Sequence, residues 1–306
     1  MTKISLPALP LNEWQDTLST LHMWSQIVGK IANARSPLVN QFWNCSLRVT
    51  PRGLTTLPLN CGTTTLTFEF DFVAHELVIR CESGQTRSVK LEPRTVADFY
   101  AAVMQALSEL KADVKIWTMP VEVEDPIRFT EDTKHASYDA EYVERLQTIL
   151  IWTNNVFEEF RARFVGKNSP VQFFWGSFDM AVTRFNGEKA PPRKDADYIT
   201  REAYSQACIS HGFWCGSGAV QEPAFYAYAA PEPDGLKQAK ILPDAGYYHQ
   251  TMGEFILPYE AVRTSDDPEK AVLDFMQSTY DAAADLANWK RSDLERASAF
   301  SAPDAK

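Results

Sequence analysis

The chain has 306 residues and a mass of 34.6 kDa, about twice a usual domain, so two domains or one duplicated unit are expected. Apolar residues make up 45% and charged residues 23%, a globular mix that excludes wholesale disorder, and no apolar run approaches the roughly 18 residues of a membrane helix. Forty acidic against 30 basic residues leave a formal net charge of −10, which argues against nucleic acid or an anionic membrane as partner.

From the start of the chain, residues 1–30 lack a basic segment followed by an apolar one, so no signal peptide is expected. The first helix is predicted from about Asn12 to Arg35, with Asn12 as its cap and Trp14, Leu18, Leu21, Trp24, Val28 and Ile31 as its apolar face. Strands are predicted at Phe42–Thr50, Thr64–Phe72, Leu77–Cys81 and Arg87–Leu91, then a helix Thr95–Leu110 capped by Thr95, and a strand Val114–Met119. The segment Pro120–Asp139 carries six acids and two prolines and reads as a solvated crossover. Beyond it come a helix from Asp139 to Phe164, strands Val171–Arg184, Ala224–Ala230 and Glu254–Tyr259, and a helix Pro268–Asn288.

A weak internal repeat organises these elements. Leu18, Thr20, Trp24 and Val28 match Leu146, Thr148, Trp152 and Val156 at the same spacing. Ser36-Pro37, Phe42-Trp43, Val49-Thr50 and Val96-x-Asp98-Phe99 find counterparts in the same order at 169–170, 174–175, 182–183 and 272–275. The expectation is an α+β protein of two related halves, each helix, antiparallel strands, helix, forming one compact pseudo-two-fold molecule. The halves are residues 1–119 and 139–290, joined by an acidic linker 120–138, with an insertion at about 186–253 and a flexible tail 291–306.

The strings Phe173-Phe-Trp-Gly-Ser-Phe-Asp-Met-Ala-Val-Thr-Arg184, Phe255-Ile-Leu-Pro-Tyr-Glu-Ala-Val-Arg263, Trp117-Thr-Met-Pro-Val-Glu122 and His135-Ala-Ser-Tyr-Asp139 resemble an uncharacterised bacterial family, domain of unknown function 5996. The resemblance spans nearly the whole chain. It implies a stand-alone soluble bacterial protein and brings no activity, cofactor or catalytic residue with it.

Candidate chemistry is read from the residues. Gln15, Ser19, His22, Gln26 and Asn33 form a polar, nearly uncharged stripe on the first helix, suited to hydrogen-bonding a ligand in a cleft or to an interface satisfied by backbone groups. His135 is a candidate acid or base, with Tyr138 as a second proton donor and Asp139 as a helix cap. Strand alternation places Ser177, Asp179 and Ala181 on one face, making Asp179 a site residue or half of a structural ion pair. The glycine-rich stretch His211-Gly-Phe-Trp214-Cys215-Gly-Ser-Gly218 reads as a lid, with Trp214 against the ligand.

Five scattered cysteines without C-x-x-C, and histidines without H-x-x-x-H, indicate reduced thiols of a cytoplasmic protein and no local metal chelate. The two common phosphate-binding glycine motifs are absent, so no cofactor is named. The leading expectation is an enzyme doing acid–base chemistry on a small polar or aromatic metabolite bound between the halves. His22, His135 and Asp179 would be catalytic, and Gln26, Tyr138, Arg184, Trp214, Tyr259 and Arg263 would bind the ligand. A non-catalytic small-molecule-binding module and a protein–protein interaction protein are the alternatives. Oligomeric state is open.

Overall fold

The apolar stripe beginning at Trp14 folds as a helix: in the computed structural model, which describes residues 5–296, α1 is Leu11–Arg35. Pro10 supplies the entry, its ring-fixed φ of −67° leading into the first turn, and the Glu13 amide donates to its carbonyl at 3.1 Å. Asn12 is therefore inside the helix and exposed, not the cap.

Seven helices and two antiparallel sheets make up the α+β fold of the described residues. The chain divides into two compact units, one comprising residues up to Trp152 with Gln172–Met180, the other Thr153–Val171 with the chain from Ala181 onward. These boundaries differ from 1–119, 120–138 and 139–290. Residues 120–152 and the hairpin at 172–180 go with the first unit.

In the first unit, β1 (Arg48–Thr50), β2 (Gly53–Thr55), β4 (Thr65–Asp71), β5 (Glu76–Cys81) and β6 (Thr86–Lys90) form a meander in that order, and β3 (Leu59–Asn60) pairs with β4. Alternation on β4 holds: Leu66, Phe68 and Phe70 are buried. Helix α2 (Val96–Glu109) starts where Thr95 accepts from the Asp98 amide, and its Phe99 stacks on Trp24 of α1 with ring centroids 4.6 Å apart. The strand expected over Phe42–Thr50 is reduced to three residues, because Asn40 and Phe42 take left-handed backbone in a turn. Val114–Met119 is not a strand.

Helix α3 (Ala140–Ala162) runs from the first unit into the second. Val171–Arg184 is not one strand. It breaks into β7 (Gln172–Phe174) and β8 (Asp179–Lys189) around a turn at 175–178, with Phe178 at φ 56°. The alternation expected across Ser177–Val182 is thereby lost, and Asp179 through Val182 are all buried.

The second sheet has the order β11-β12-β10-β9-β8-β7, with β9 Gln206–Trp214, β10 Ala224–Ala230, β11 Tyr247–His249 and β12 Glu254–Pro258. Short helices α4 (Tyr198–Ala203) and α5 (Tyr259–Arg263) were not predicted. Helix α6 (Pro268–Leu286) opens with Pro268 in its first turn and Asp267 as cap. Of the tail expected at 291–306, Arg291–Leu294 form α7, where Arg291 pairs with Asp281, Asp285 and Glu295, and residues 297–306 lie outside the described residues.

Candidate functional site

The site in the first unit is built on the buried hydroxyls of α1. Thr20 accepts from the Ser137 amide at 3.1 Å and Thr17 from the Asp139 amide at 3.0 Å, which fixes the segment leading into α3. Its other end is held by α2, whose Val96 and Ala97 amides donate to the carbonyls of His135 and Asp132. Those two amides belong to the helix N-terminus, where no intrahelical acceptor exists, so the loop satisfies the helix while the helix holds the loop.

Within this loop the Asp132 carboxylate is fully buried. It accepts from the amides of Lys134 and His135, both at 3.1 Å, and lies 2.7 Å from His135 Nδ1. A carboxylate so placed assigns the proton to Nδ1 and leaves Nε2 as the basic atom of the imidazole. The His135 side chain keeps 20% of its surface exposed, so the ring is accessible to a ligand.

His22 lies within electrostatic reach of His135 and is of a different kind. Its Nε2 donates to the Gly176 carbonyl at 2.8 Å, and its ring packs on Phe178 at 5.4 Å. Burial pulls its pKa from 6.5 down to about 4, outweighing the carbonyls of Gly176 and Trp175, and a proton on His135 acts in the same direction. Near neutral pH it is an uncharged imidazole. Gln26, one turn on, is wholly buried; its Oε1 accepts from the Val121 amide at 2.9 Å and its Nε2 donates to the Val121 carbonyl at 2.7 Å. Both ends of this amide are committed to the backbone, so Gln26 holds Val121 on α1 and has neither end turned to a ligand. Gln15 and Asn33 are exposed.

Tyr138 stacks near Trp24 at 5.7 Å, and burial raises its hydroxyl pKa well above the usual value. Its hydroxyl is hydrogen-bonded to His75 Nδ1 at 2.9 Å, and His75 Nε2 lies 3.3 Å from Glu144. Asp132, His75 and Thr20 were not singled out from the sequence. Only Asp132 had a readable signal, its position three residues before His135.

The remaining expected residues are placed elsewhere. Asp179 is buried and accepts from the Ser177 hydroxyl. In the second unit Arg184 is 1% exposed, its guanidinium 3.5 Å from the Phe160 ring centroid and 4.3 Å from that of Tyr280. Its Nη2 donates to the Phe160 carbonyl at 2.5 Å, its Nε is without a partner, and burial lowers its pKa to about 9. It is a core residue and does not meet a ligand anion. Trp214 packs beside Val220, Ala224, Tyr226 and Ile256, Tyr259 is buried with its ring 5.8 Å from Phe213, and Arg263 is paired with Glu260.

The stretch 211–218 is not a loop over a site. His211 to Trp214 end β9, between β8 and β10 in the sheet, and His211 is fully buried with Nε2 3.0 Å from the Thr279 hydroxyl. Only the turn after it uses its glycines, Gly216 and Gly218, at positive φ.

Among the described residues no cluster of His, Cys, Asp and Glu is placed to hold a metal ion, and no helix is long and apolar enough to cross a membrane. The chain belongs to a family of unknown function, DUF5996, whose model matches residues 6–296. No curated protein and no solved structure matches it.

Proposed function

We propose that the protein is an enzyme that transfers a proton on a small polar or aromatic metabolite, with His135 as the acid–base group. The observation that carries this reading is the Asp132–His135 pair: a carboxylate with no exposed surface, 2.7 Å from the Nδ1 of a partly exposed imidazole. Such a carboxylate keeps Nε2 free to accept a proton and stabilises the imidazolium that results. His22, uncharged near neutrality, adds no second cation beside it. Tyr138, three residues after His135 and hydrogen-bonded to His75, is the second proton-donor candidate of this reading.

The net charge of −10 supports a small-molecule partner rather than nucleic acid or membrane. The cytoplasm of a bacterium is the location this reading proposes, on the scattered free cysteines. Common ancestry of the two units belongs to this reading, since each runs helix, antiparallel sheet, helix.

A second reading, a non-catalytic binding module, is favoured by one feature of the second unit. There Lys237, Ile241, Leu242, Tyr247, Tyr248 and Phe255 line a groove of about 360 Å³, within the size range of small-ligand sites.

A metabolite panel incubated with the full chain and read by mass spectrometry separates the two. Turnover that falls by at least about 100-fold in His135→Ala and in Asp132→Asn, with folding retained, supports the enzyme. Binding without turnover replaces it with the module, and turnover indifferent to His135 refutes the assigned role.

A further inference from the structure

Helix α1 carries a second unusual group, one the acid–base site does not use. From Met23 to Ala32 every residue of the helix is buried, and Lys30, within that run, keeps only 8% of its surface. A buried ammonium is costly unless a carboxylate or strong acceptors surround it. Among the described residues no carboxylate forms an ion pair with Lys30. Its Nζ instead lies over the face of Trp117, 4.8 Å from the ring centroid. That ring is itself 62% exposed, an open aromatic surface directly beside the amine. The chain just after the ring is held in place: the Phe129 amide donates to the Thr118 carbonyl at 2.9 Å, and Gln26 clamps Val121.

We propose that Lys30 is an amine nucleophile that captures a small carbonyl compound as an imine, with Trp117 stacking on the planar adduct. The compounds that fit are aldehydes and α-keto acids, and aromatic aldehydes above all, because the exposed indole offers a π surface to a flat ring. This inference does not rest on the role given to His135.

The step balances without a further reagent. The Nζ lone pair forms a bond to the carbonyl carbon while the C=O π pair moves to oxygen, which takes up one of the two amine protons through water. The resulting carbinolamine loses its oxygen with the second amine proton as one water molecule, and the nitrogen lone pair forms the C=N bond. Nothing is oxidised or reduced. The reaction needs the free amine, and burial alone lowers the Lys30 pKa from 10.5 to about 8, so near neutrality the unprotonated fraction is on the order of 100-fold larger than for a surface lysine.

The test uses the full chain at pH 7.5 with benzaldehyde or glyoxylate and sodium cyanoborohydride, which fixes an imine as a stable secondary amine. Intact mass and peptide mapping then report where and how fast each lysine is modified. The expected result is a single early addition at Lys30, at least about tenfold faster than at the exposed Lys240 and Lys270, with Trp117→Ala slowing benzaldehyde more than glyoxylate. Lys30→Arg removes the early addition while the remaining lysines react unchanged. Labelling of Lys30 in the wild-type chain no faster than Lys240 or Lys270 overturns the proposal, and that comparison needs no variant to fold.

Discussion

The indole of Trp175 lies directly on the backbone of Gly29, so close that a β-carbon at position 29 would come within 2.1 Å of ring atom Cδ2. The same indole donates to the Cys45 carbonyl at 3.0 Å, which holds it in place. Glycine in a helix interior costs about 1 kcal/mol relative to alanine, so in an open helix Gly29→Ala would stabilise. Here the clash is with a ring that cannot move without losing its hydrogen bond and shifting the 175–178 turn. Gly29→Ala is expected to destabilise by about 2 kcal/mol or more, seen as a lower urea midpoint. An unchanged or higher midpoint would mean the indole is free to move.

His22 makes stability depend on pH with a definite sign. Its folded pKa of about 4 is below the unfolded value of 6.5, so between these the unfolded chain binds more protons. The contribution is fully present above pH 6.5 and is lost as pH falls to about 4. Its size, roughly 3 kcal/mol at most, follows from the separation of the two values. Urea unfolding at pH 7 and pH 4.5 measures the loss. His22→Gln should show a smaller drop between those pH values than the wild-type protein does.

Arg184 packs a cation among Phe160, Phe164 and Tyr280 with its Nε unpartnered. Cation–π attraction favours it by about 1–2 kcal/mol, whereas desolvating a guanidinium costs several. Arg184→Met keeps the stem against the rings and removes the charge, so its stability is expected within about 1 kcal/mol of wild type or higher. Arg184→Ala leaves a cavity and should cost about 3 kcal/mol or more. Thermal unfolding of both variants decides, and equal losses would show that the charge is the stabilising part.

Thr20 ties α1 to the loop that carries His135. Thr20→Val keeps the shape and leaves the Ser137 amide without its acceptor, at a cost of about 1–2 kcal/mol. Thr20→Ser restores an acceptor and should recover most of it. The imidazole signals of His135 in NMR spectra should shift in the valine variant and return in the serine one. Signals that stay put in both variants would show that Thr17 and α2 hold the loop without Thr20.

Helices α1, α2, α3 and α6 were legible to within two residues, because a 3.6-residue apolar period and a terminal residue such as the Thr95 cap or the first-turn Pro268 are local properties of the chain. Strands β4, β5 and β6 were legible for the same reason, their alternation and turn residues being near in sequence. The break at 175–178 was not, since the string 173–184 is β-rich throughout and only the pairing of its two ends bends it back. The stretch 211–218 reads as a lid because Gly212, Gly216 and Gly218 crowd it, yet Gly212 sits within β9 where the Tyr226 ring crosses the strand, 2.2 Å from where a β-carbon would stand.

The chain's own composition and periodicity determined its class, its helices and the candidate histidines on α1 and before α3. Tertiary structure alone decided what those polar groups do. Gln26 is closed off by a peptide 95 positions away, His22 is set against a carbonyl 154 positions away, and Arg184 is enclosed by rings from two helices. The physical reason is that a polar side chain's protonation and availability depend on its desolvation and its hydrogen-bond partners, and both are supplied by residues remote in the chain.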